Sequence, residues 1–444
     1  MMHTRRGNFM STVICLYNFL LLIALVFILP YYAVKSLTTG KYRRNLAARL
    51  GRVRVDPPSP GERRLWIHAV SVGEVTAAAA IIRALKEGFP QVKVILSTTT
   101  ETGQEMARRI VPEAGALIYF PLDLPFVVGS LLDRVRPEVV VLTETELWPN
   151  FLAACRRRNI PVLLVNGRLS ERSFKRYRQT RWFWGFFFTG IAGAGMIGEM
   201  DARRLIEMGV EGDKVWVMGN AKYDALAARV EVSLARQARA LIGLKEGEEV
   251  FVAGSTHRGE EEVVLSVYRR LLADFPELKL IIVPRHIERT GELIDLCREK
   301  GFSDFITYRE ILGGKGRTRE RVILVDVIGE LFKLYGLATV VFCGGSLVPR
   351  GGQNILEAAA WGKVPLFGPY MADFTLEKEL LTRLRGGIMV QDGQELYEKL
   401  RELLLNPELR EEMGGRAAQA VLQNRGAARR YGELILSFLR EKNA

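Results

Sequence analysis

Leu65-Trp66-Ile67-His68-Ala69-Val70-Ser71-Val72-Gly73-Glu74-Val75-Thr76-Ala77 is the stretch that decides the fold. An apolar run predicts a strand over Leu65–Val70, a loop of small residues follows, and a helical pattern opens over Val75–Glu87. A strand that runs through a short loop into a helix is the first half of a βαβ unit, and such units build parallel sheets with helices on both faces. Glu74 stands at the helix N-terminus. There the macrodipole and free N–H groups favour a carboxylate, so an ionised, proton-accepting Glu74 is expected. A first-turn glutamate that only suits the dipole has the same sequence signature; the strand-loop-helix position is what favours a functional role.

Working outward, the same alternation recurs. Further strands are predicted over Val92–Ser97, Ala116–Phe120, Val139–Leu142, Val162–Val165 and Val215–Met218, after the breaker Asp56-Pro57-Pro58-Ser59-Pro60. An Ala- and Arg-rich helical stretch near Ala225–Ile242 carries no strand signal and reads as a linker. A second series then begins with Glu249–Ala253, Lys279–Val283, Val322–Val325, Val340–Phe342 and Lys363–Leu366. The fold class is therefore α/β, with two Rossmann-like domains whose strand carboxyl ends are expected to face a central cleft. The expected divisions are an N-terminal segment over 1–34, a first domain over 35–224 and a second over 225–444 with C-terminal helices.

The N-terminal segment has its own character. No charged residue occurs from Gly7 to Val34, and Val13–Leu29 is almost wholly apolar. That length suits a transmembrane helix; a cleaved signal peptide would have a shorter apolar region of about 7–15 residues and a small-residue end, not Pro30-Tyr31-Tyr32. Lys35, Lys41, Arg43, Arg44, Arg49, Arg52 and Arg54 follow the span, so the positive-inside rule predicts a single-pass inner-membrane anchor with the catalytic domains in the cytoplasm. A formal charge of +13 predicts anionic partners, which admits nucleic acid, anionic lipid and phosphorylated substrates. The four cysteines have no zinc-like or disulfide-like spacing and read as reduced thiols.

Chemistry concentrates at predicted strand ends. Thr143-Glu144-Thr145-Glu146-Leu147-Trp148-Pro149-Asn150 follows Val139–Leu142, and carboxylates there could hold sugar hydroxyls or offset positive charge at an anomeric carbon; a solvated loop is the plain alternative. In the second half, Gly254-Ser255-Thr256-His257-Arg258-Gly259-Glu260, Pro284-Arg285-His286, Gly344-Gly345-Ser346 and Arg350-Gly351-Gly352-Gln353-Asn354 each follow a predicted strand. Together they predict a nucleotide site in which backbone N–H groups and cations meet phosphate. The absence of an Asp-x-Asp pair and of Gly-x-Gly-x-x-Gly points to a metal-independent enzyme with a monophosphate leaving group and away from a dehydrogenase. Six basic residues between Arg168 and Arg181 lead into Trp182-Phe183-Trp184-Gly185-Phe186-Phe187-Phe188, which suits an anionic lipid surface or acyl chains, or equally a core helix with a basic face.

Taken together, His68–Glu74, Glu144–Asn150, Asn166–Ser170, Val283–His286, Gly344–Leu347 and Gly351–Asn354 resemble the 3-deoxy-D-manno-octulosonic acid (Kdo) transferases of lipopolysaccharide synthesis. The resemblance runs from the N-terminal anchor almost to the C-terminus, and it implies that the domain over 35–224 binds the acceptor and the domain over 225–444 binds CMP-Kdo. It implies a glycosyltransferase-B fold and inverting transfer of Kdo from CMP-Kdo to the lipid A precursor at the inner membrane, with no cofactor, no metal on the donor and no nucleic-acid partner. By the same resemblance Glu74 is the proton acceptor, while Glu144 and Lys222, in Lys222-Tyr223-Asp224, support the transition state. The implied CMP contacts are Pro284, Arg285, Ile328, Gly329, Glu330, Asn354, Ile355, Leu356 and Glu357. Ala221 before Lys222 departs from the larger residue common in relatives. A sugar-nucleotide 2-epimerase is the alternative within the fold, and a non-catalytic nucleic-acid or lipid binder the alternative outside it; neither explains both the anchor and the acidic cluster.

Overall fold

The structure is a computed structural model that describes residues 13–27 and 43–441. The chain divides into two compact units, residues 1–225 with 425–444, and residues 226–424.

The first unit holds a seven-stranded parallel sheet: β1 (Arg64–His68), β2 (Lys93–Thr98), β3 (Ala116–Tyr119), β4 (Val139–Thr143), β5 (Val162–Gly167), β6 (Gly193–Met196) and β7 (Val215–Val217). Their order is β3-β2-β1-β4-β5-β6-β7, so the winding direction reverses between β1 and β4. Successive residues of β1 serve opposite faces. Trp66 packs with Phe120 and Phe151 on one side, while Leu65 and Ile67 pack with the helix Val72–Gly88 on the other. Both faces are covered, which is why these strands read as continuous apolar runs rather than alternating ones.

The second unit repeats the plan with β8 (Val250–Thr256), β9 (Lys279–Pro284), β10 (Phe305–Thr307), β11 (Val322–Leu324), β12 (Val340–Cys343), β13 (Pro365–Phe367) and β14 (Ile388–Met389). All pairings are parallel in the order β10-β11-β9-β8-β12-β13-β14, with the reversal between β8 and β12. In sheets of this kind the crevice for ligands lies outside the carboxyl ends of the strands flanking the reversal.

Three features differ from expectation. The final helix, Ala427–Glu441, belongs to the first unit and not to the second. Its buried stripe of Tyr431, Ile435 and Leu439 completes the core around Leu65, Ile67 and Leu163. Asp224 caps it, accepting from the N–H groups of Gly426 at 2.7 Å and Ala428 at 3.2 Å. The strand β6 was not expected, because Gly193-Ala194-Gly195-Met196 has little β propensity. Its glycines answer to space: a Cβ on Gly195 would stand 2.5 Å from Tyr431 Cε1, so the returning helix requires a bare backbone there.

The third difference concerns the anchor. A helix covers residues 13–27, and the remainder of the expected span Gly7–Val34 lies outside the described residues. Among the described residues no helix is long and apolar enough to cross a membrane. The described part touches the rest of the first unit through apolar and polar groups: Val13 is buried in its core, Tyr17 donates to Asp123 Oδ2 at 3.0 Å, and Asn150 Nδ2 donates to Asn18 Oδ1 at 2.7 Å. Phe19, Leu20, Leu22, Val26 and Phe27 are exposed.

Candidate active site

The crevice end of the first sheet gathers an acidic cluster and one lysine. Glu74 lies in the first turn of the helix Val72–Gly88 and is buried. Its carboxylate accepts from Val70 N at 2.8 Å and from Ser71 Oγ at 2.9 Å. The sequence predicts that the helix terminus governs this group, but burial outweighs it. Desolvation, and then the charge of Glu144, hold the Glu74 carboxyl above its ordinary range, against the opposing hydrogen bonds. A raised proton affinity makes it a better base than an exposed glutamate.

Glu144 follows β4 directly and sits in the left-handed region with φ 61. For a residue with a Cβ this conformation costs about 1–2 kcal/mol, and here it turns the side chain towards Lys222. Lys222 Nζ and Glu144 Oε1 are 2.8 Å apart. The lysine is placed by its backbone: Asn166 Oδ1 accepts from Ala221 N at 2.9 Å and Asn220 Oδ1 from Lys222 N at 3.0 Å. Gly73 completes the arrangement, since a Cβ there would meet Lys222 Nζ at 3.5 Å and fill the space beside the ammonium. Glu74, Glu144 and Lys222 thus lie in one cluster.

Glu146 joins them; the sequence reading gave it, with Glu144, the role of holding sugar hydroxyls or offsetting charge at an anomeric carbon, and the resemblance assigned it none. It has no hydrogen-bond or ion-pair partner among the described residues, and burial together with Glu74 and Glu144 pushes its carboxyl up to about 7. A carboxylate beside two others is the only signal the sequence could have offered. His68, the first residue of the same segment as Glu74, is structural. It is buried, stacks on Phe120 at 3.8 Å, bonds Ser97 through Nδ1 at 3.0 Å and is held neutral by burial at about 3. In Lys222-Tyr223-Asp224 the lysine faces the cluster and the aspartate caps the last helix.

In the second unit the predicted CMP contacts stand at the carboxyl ends of β9, β11 and β12. Arg285 follows β9, its N–H bonded to Thr256 O at 2.9 Å. Arg285, His286, Arg289 and Arg350 lie about His257, whose ring is 5.7 Å from that of His286. Burial and this cationic company hold His257 below the ordinary histidine range. Glu357 begins the helix Leu356–Ala360. It lies 3.6 Å from Arg229 and keeps 23% of its side-chain surface; burial raises its carboxyl, while Arg229 and Arg285 oppose the rise. Ile355 and Leu356 are buried, so only their backbone is available to a ligand. Asn354 Oδ1 accepts from Leu356 N at 3.2 Å. Ile328 is exposed, and Gly329 has φ 96. Glu330 is tied to Tyr308 and Lys333 rather than to Arg285 or Glu357.

One expectation is overturned here. The loops after β8 and β12 were expected to offer their N–H groups to phosphate, yet an internal carboxylate takes those of His257, Gly345, Ser346 and Leu347. Glu260, fully buried, accepts from His257 N at 2.9 Å and Gly345 N at 2.7 Å through Oε2, and from Ser346 N and Leu347 N at 2.9 Å through Oε1. Four donors on two oxygens saturate the carboxylate. Those four donors are closed to an external anion, while the turn Arg350–Asn354 and the helix start after it make no bond to Glu260.

The basic and aromatic run splits into two helices, Glu171–Gln179 and Arg181–Phe188. Phe187 and Phe188 enter the core, whereas Trp182 stays 58% exposed. The cysteines are free, with Cys155, Cys297 and Cys343 buried. Among the described residues no group of three or more His, Cys, Asp or Glu could hold a metal ion.

Comparison with known proteins identifies the family. The family model described as 3-Deoxy-D-manno-octulosonic-acid transferase (kdotransferase) matches residues 44–225. The 3-deoxy-D-manno-octulosonic acid transferase of Haemophilus influenzae is 34% identical over 429 residues, spanning 96% of this chain and 99% of that protein. The solved C-terminal CMP-Kdo binding domain of WaaA from Acinetobacter baumannii is 30% identical and covers 43% of this chain and 97% of its own, with a TM-score of 0.40. A UDP-N-acetylglucosamine 2-epimerase structure covers 86% of this chain and 96% of its own with a TM-score of 0.60, but at 14% identity that likeness is one of fold alone. The chain belongs to the 3-deoxy-D-manno-octulosonic acid transferase family and is a glycosyltransferase.

Proposed function

We propose that this enzyme moves Kdo from CMP-Kdo to a hydroxyl of the lipid A precursor in one inverting displacement, without a metal on the donor. Glu74 accepts the proton of the attacking hydroxyl. Glu144 offsets positive charge developing at the anomeric carbon, and Lys222 supports the departing phosphate. CMP belongs to the second unit, with Arg285 as its principal cation and the backbone of Asn354, Ile355 and Leu356, the Ile328–Glu330 loop and Glu357 around the nucleoside. The N-terminal segment holds the enzyme to the inner membrane as a single-pass anchor with the catalytic units on the cytoplasmic side; the uncharged stretch Gly7–Val34, its apolar run Val13–Leu29 and the basic residues after it support that reading.

The observation that carries the proposal is a buried glutamate of raised proton affinity beside a Lys222–Glu144 pair of 2.8 Å, at the point where the first sheet reverses its winding. Incubation with CMP-Kdo and lipid A precursor tests it. CMP release with a matching mass gain on the lipid is expected, and Glu74→Gln is expected to lower turnover by roughly 10²–10⁴ while CMP still binds. A sugar-nucleotide 2-epimerase would leave the lipid mass unchanged. Near-normal turnover by Glu74→Gln would remove Glu74 from the role of base.

A further inference from the structure

The helix Pro149–Arg157 follows the acidic loop directly and has no cap of its own. Trp148 stands at its N-cap without a side-chain bond to offer, and Pro149 is its first residue. The next two N–H groups are met from elsewhere. Asp123, in the loop after β3, accepts from Asn150 N at 3.0 Å through Oδ2 and from Phe151 N at 2.9 Å through Oδ1, and its carbonyl accepts from Asn150 Nδ2 at 2.5 Å. One carboxylate, 27 residues earlier in the chain than Asn150, thus takes the place of an N-cap residue, at the helix end where the dipole favours it.

Asp123 is buried, and no ion pair reaches it among the described residues. Burial holds its carboxyl above the ordinary range, and the bonds from Asn150 N, Tyr17 and Phe151 N oppose the rise. The tyrosine comes from the helix over residues 13–27. Its hydroxyl donates to Asp123 Oδ2 at 3.0 Å, its ring lies 6.2 Å from that of Phe183, and Val13, one turn earlier, is buried in the core. Asn18 Oδ1 takes the other proton of Asn150 Nδ2 at 2.7 Å.

What these bonds fix is the loop 144–148. Its near end is pinned beside β5, where Glu144 N donates to Val165 O at 2.9 Å and Thr145 Oγ1 to Arg168 O at 2.6 Å. Its far end enters the capped helix, with the Trp148 ring 5.6 Å from that of Phe120. The charge of Glu144 helps to raise Glu74, and Glu74 and Glu144 help to raise Glu146, so the proton affinities of these carboxyls depend on where the loop is held.

We propose that Asp123 and Tyr17 are positioning residues for the transfer. Asp123 fixes the acid-bearing loop through the N-terminus of the helix behind it, and Tyr17 couples that loop to the N-terminal helix, so the segment read as an anchor also sets the geometry of the acidic cluster. The inference rests on the base role of Glu74 proposed above. Loss of the Tyr17 hydroxyl leaves the buried carboxylate with backbone donors only and favours its protonated form, which is the poorer cap. Asp123→Asn sets an amide donor against a backbone N–H.

The test uses the full chain, Tyr17→Phe and Asp123→Asn, with the tryptophan emission of the first unit as the measure of folding. Hydrogen–deuterium exchange at the amides of Asn150 and Phe151 is expected to quicken roughly tenfold or more in both variants. Transfer is expected to show kcat lower by roughly tenfold or more, with the KM for CMP-Kdo unchanged. The acid limb of the pH profile of kcat/KM is expected to move to lower pH, because a loosened loop carries the charge of Glu144 away from Glu74. A variant that is merely less folded loses amplitude without moving the limb. Unchanged exchange in both variants overturns the inference, and so does faster exchange with kcat or the acid limb as in wild type. A response of Asp123→Asn alone overturns the part given to Tyr17; should Asp123→Asn fail to fold, Tyr17→Phe decides. Glu74→Gln separates the inference from the reading beneath it. If that variant keeps the wild-type acid limb, the base role of Glu74 fails, while exchange and kcat in the other two variants still decide the positioning.

Discussion

Glutamine in place of Glu146 is expected to stabilise the first unit, and to do so only where the wild-type glutamate is forced to ionise. Burial comes first among the causes, followed by the charges of Glu74 and Glu144, and together they raise this carboxyl from 4.5 to about 7. A folded-state value above the unfolded one means that the folded protein binds the extra proton between those limits, so stability falls as pH rises through them and the whole penalty is present above about 7. At 1.36 kcal/mol per tenfold change in proton affinity the rise corresponds to about 3.4 kcal/mol. Solvent screening at this partly exposed group reduces that to about 1–2 kcal/mol. Glutamine cannot ionise, so the variant is expected to match wild type near pH 5 and to exceed it by that amount near pH 8. Urea unfolding followed by tryptophan fluorescence reads the correct unit, because Trp66, Trp148, Trp182, Trp184 and Trp216 all lie in it and Trp361 alone lies in the other. A difference that did not change with pH would refute the reasoning, since a packing effect of the amide has no such dependence. Combination with Glu74→Gln supplies a second check: once Glu74 carries no charge, the gain from Glu146→Gln is expected to shrink.

Lys222→Met leaves Glu144 unpaired in its left-handed conformation, and kcat is expected to fall by about 10²-fold or more with the KM for CMP-Kdo little changed, as steady-state kinetics would read. Glu260→Gln puts an amide donor against backbone donors and strands two of four N–H groups; thermal unfolding is expected to show a loss of about 2–3 kcal/mol in the second unit, with weaker CMP binding. Arg285→Ala is expected to weaken CMP binding by about 1.5–3 kcal/mol in calorimetry, whereas Trp182→Ser is expected to leave CMP affinity unchanged and to reduce binding to vesicles containing anionic lipid.

What the sequence made legible is what depends on local pattern. The central strands β1, β2, β4, β5, β8, β9 and β12 are apolar on both faces because helices cover both, and that produces runs which can be read directly. The edge strands β10 and β14, of three and two residues, are too short to leave a signal, and β6 is hidden by glycines whose reason lies in Tyr431, far along the chain. The stripe Tyr431, Ile435, Leu439 is readable as one face of a helix, but nothing local says which unit it covers. The site divides in the same way. Glu74 and Glu144 stand at strand ends and could be singled out there, while the pairing with Lys222 depends on Asn166 and Gly73. One part of the phosphate reading, the N–H groups of His257, Gly345, Ser346 and Leu347, failed for a physical reason. Glycine-rich turns do present N–H groups, but Glu260, within the first of these loops, supplies the anion from inside the protein. With those donors spent, a larger share of the charge that can meet phosphate in the second unit falls to Arg285, Arg289, Arg350 and His286. Binding through mobile, partly exposed cations is screened by salt far more than binding to a closed backbone cradle. CMP affinity in this enzyme is therefore expected to fall with ionic strength, and the loss of Arg285 to flatten that dependence.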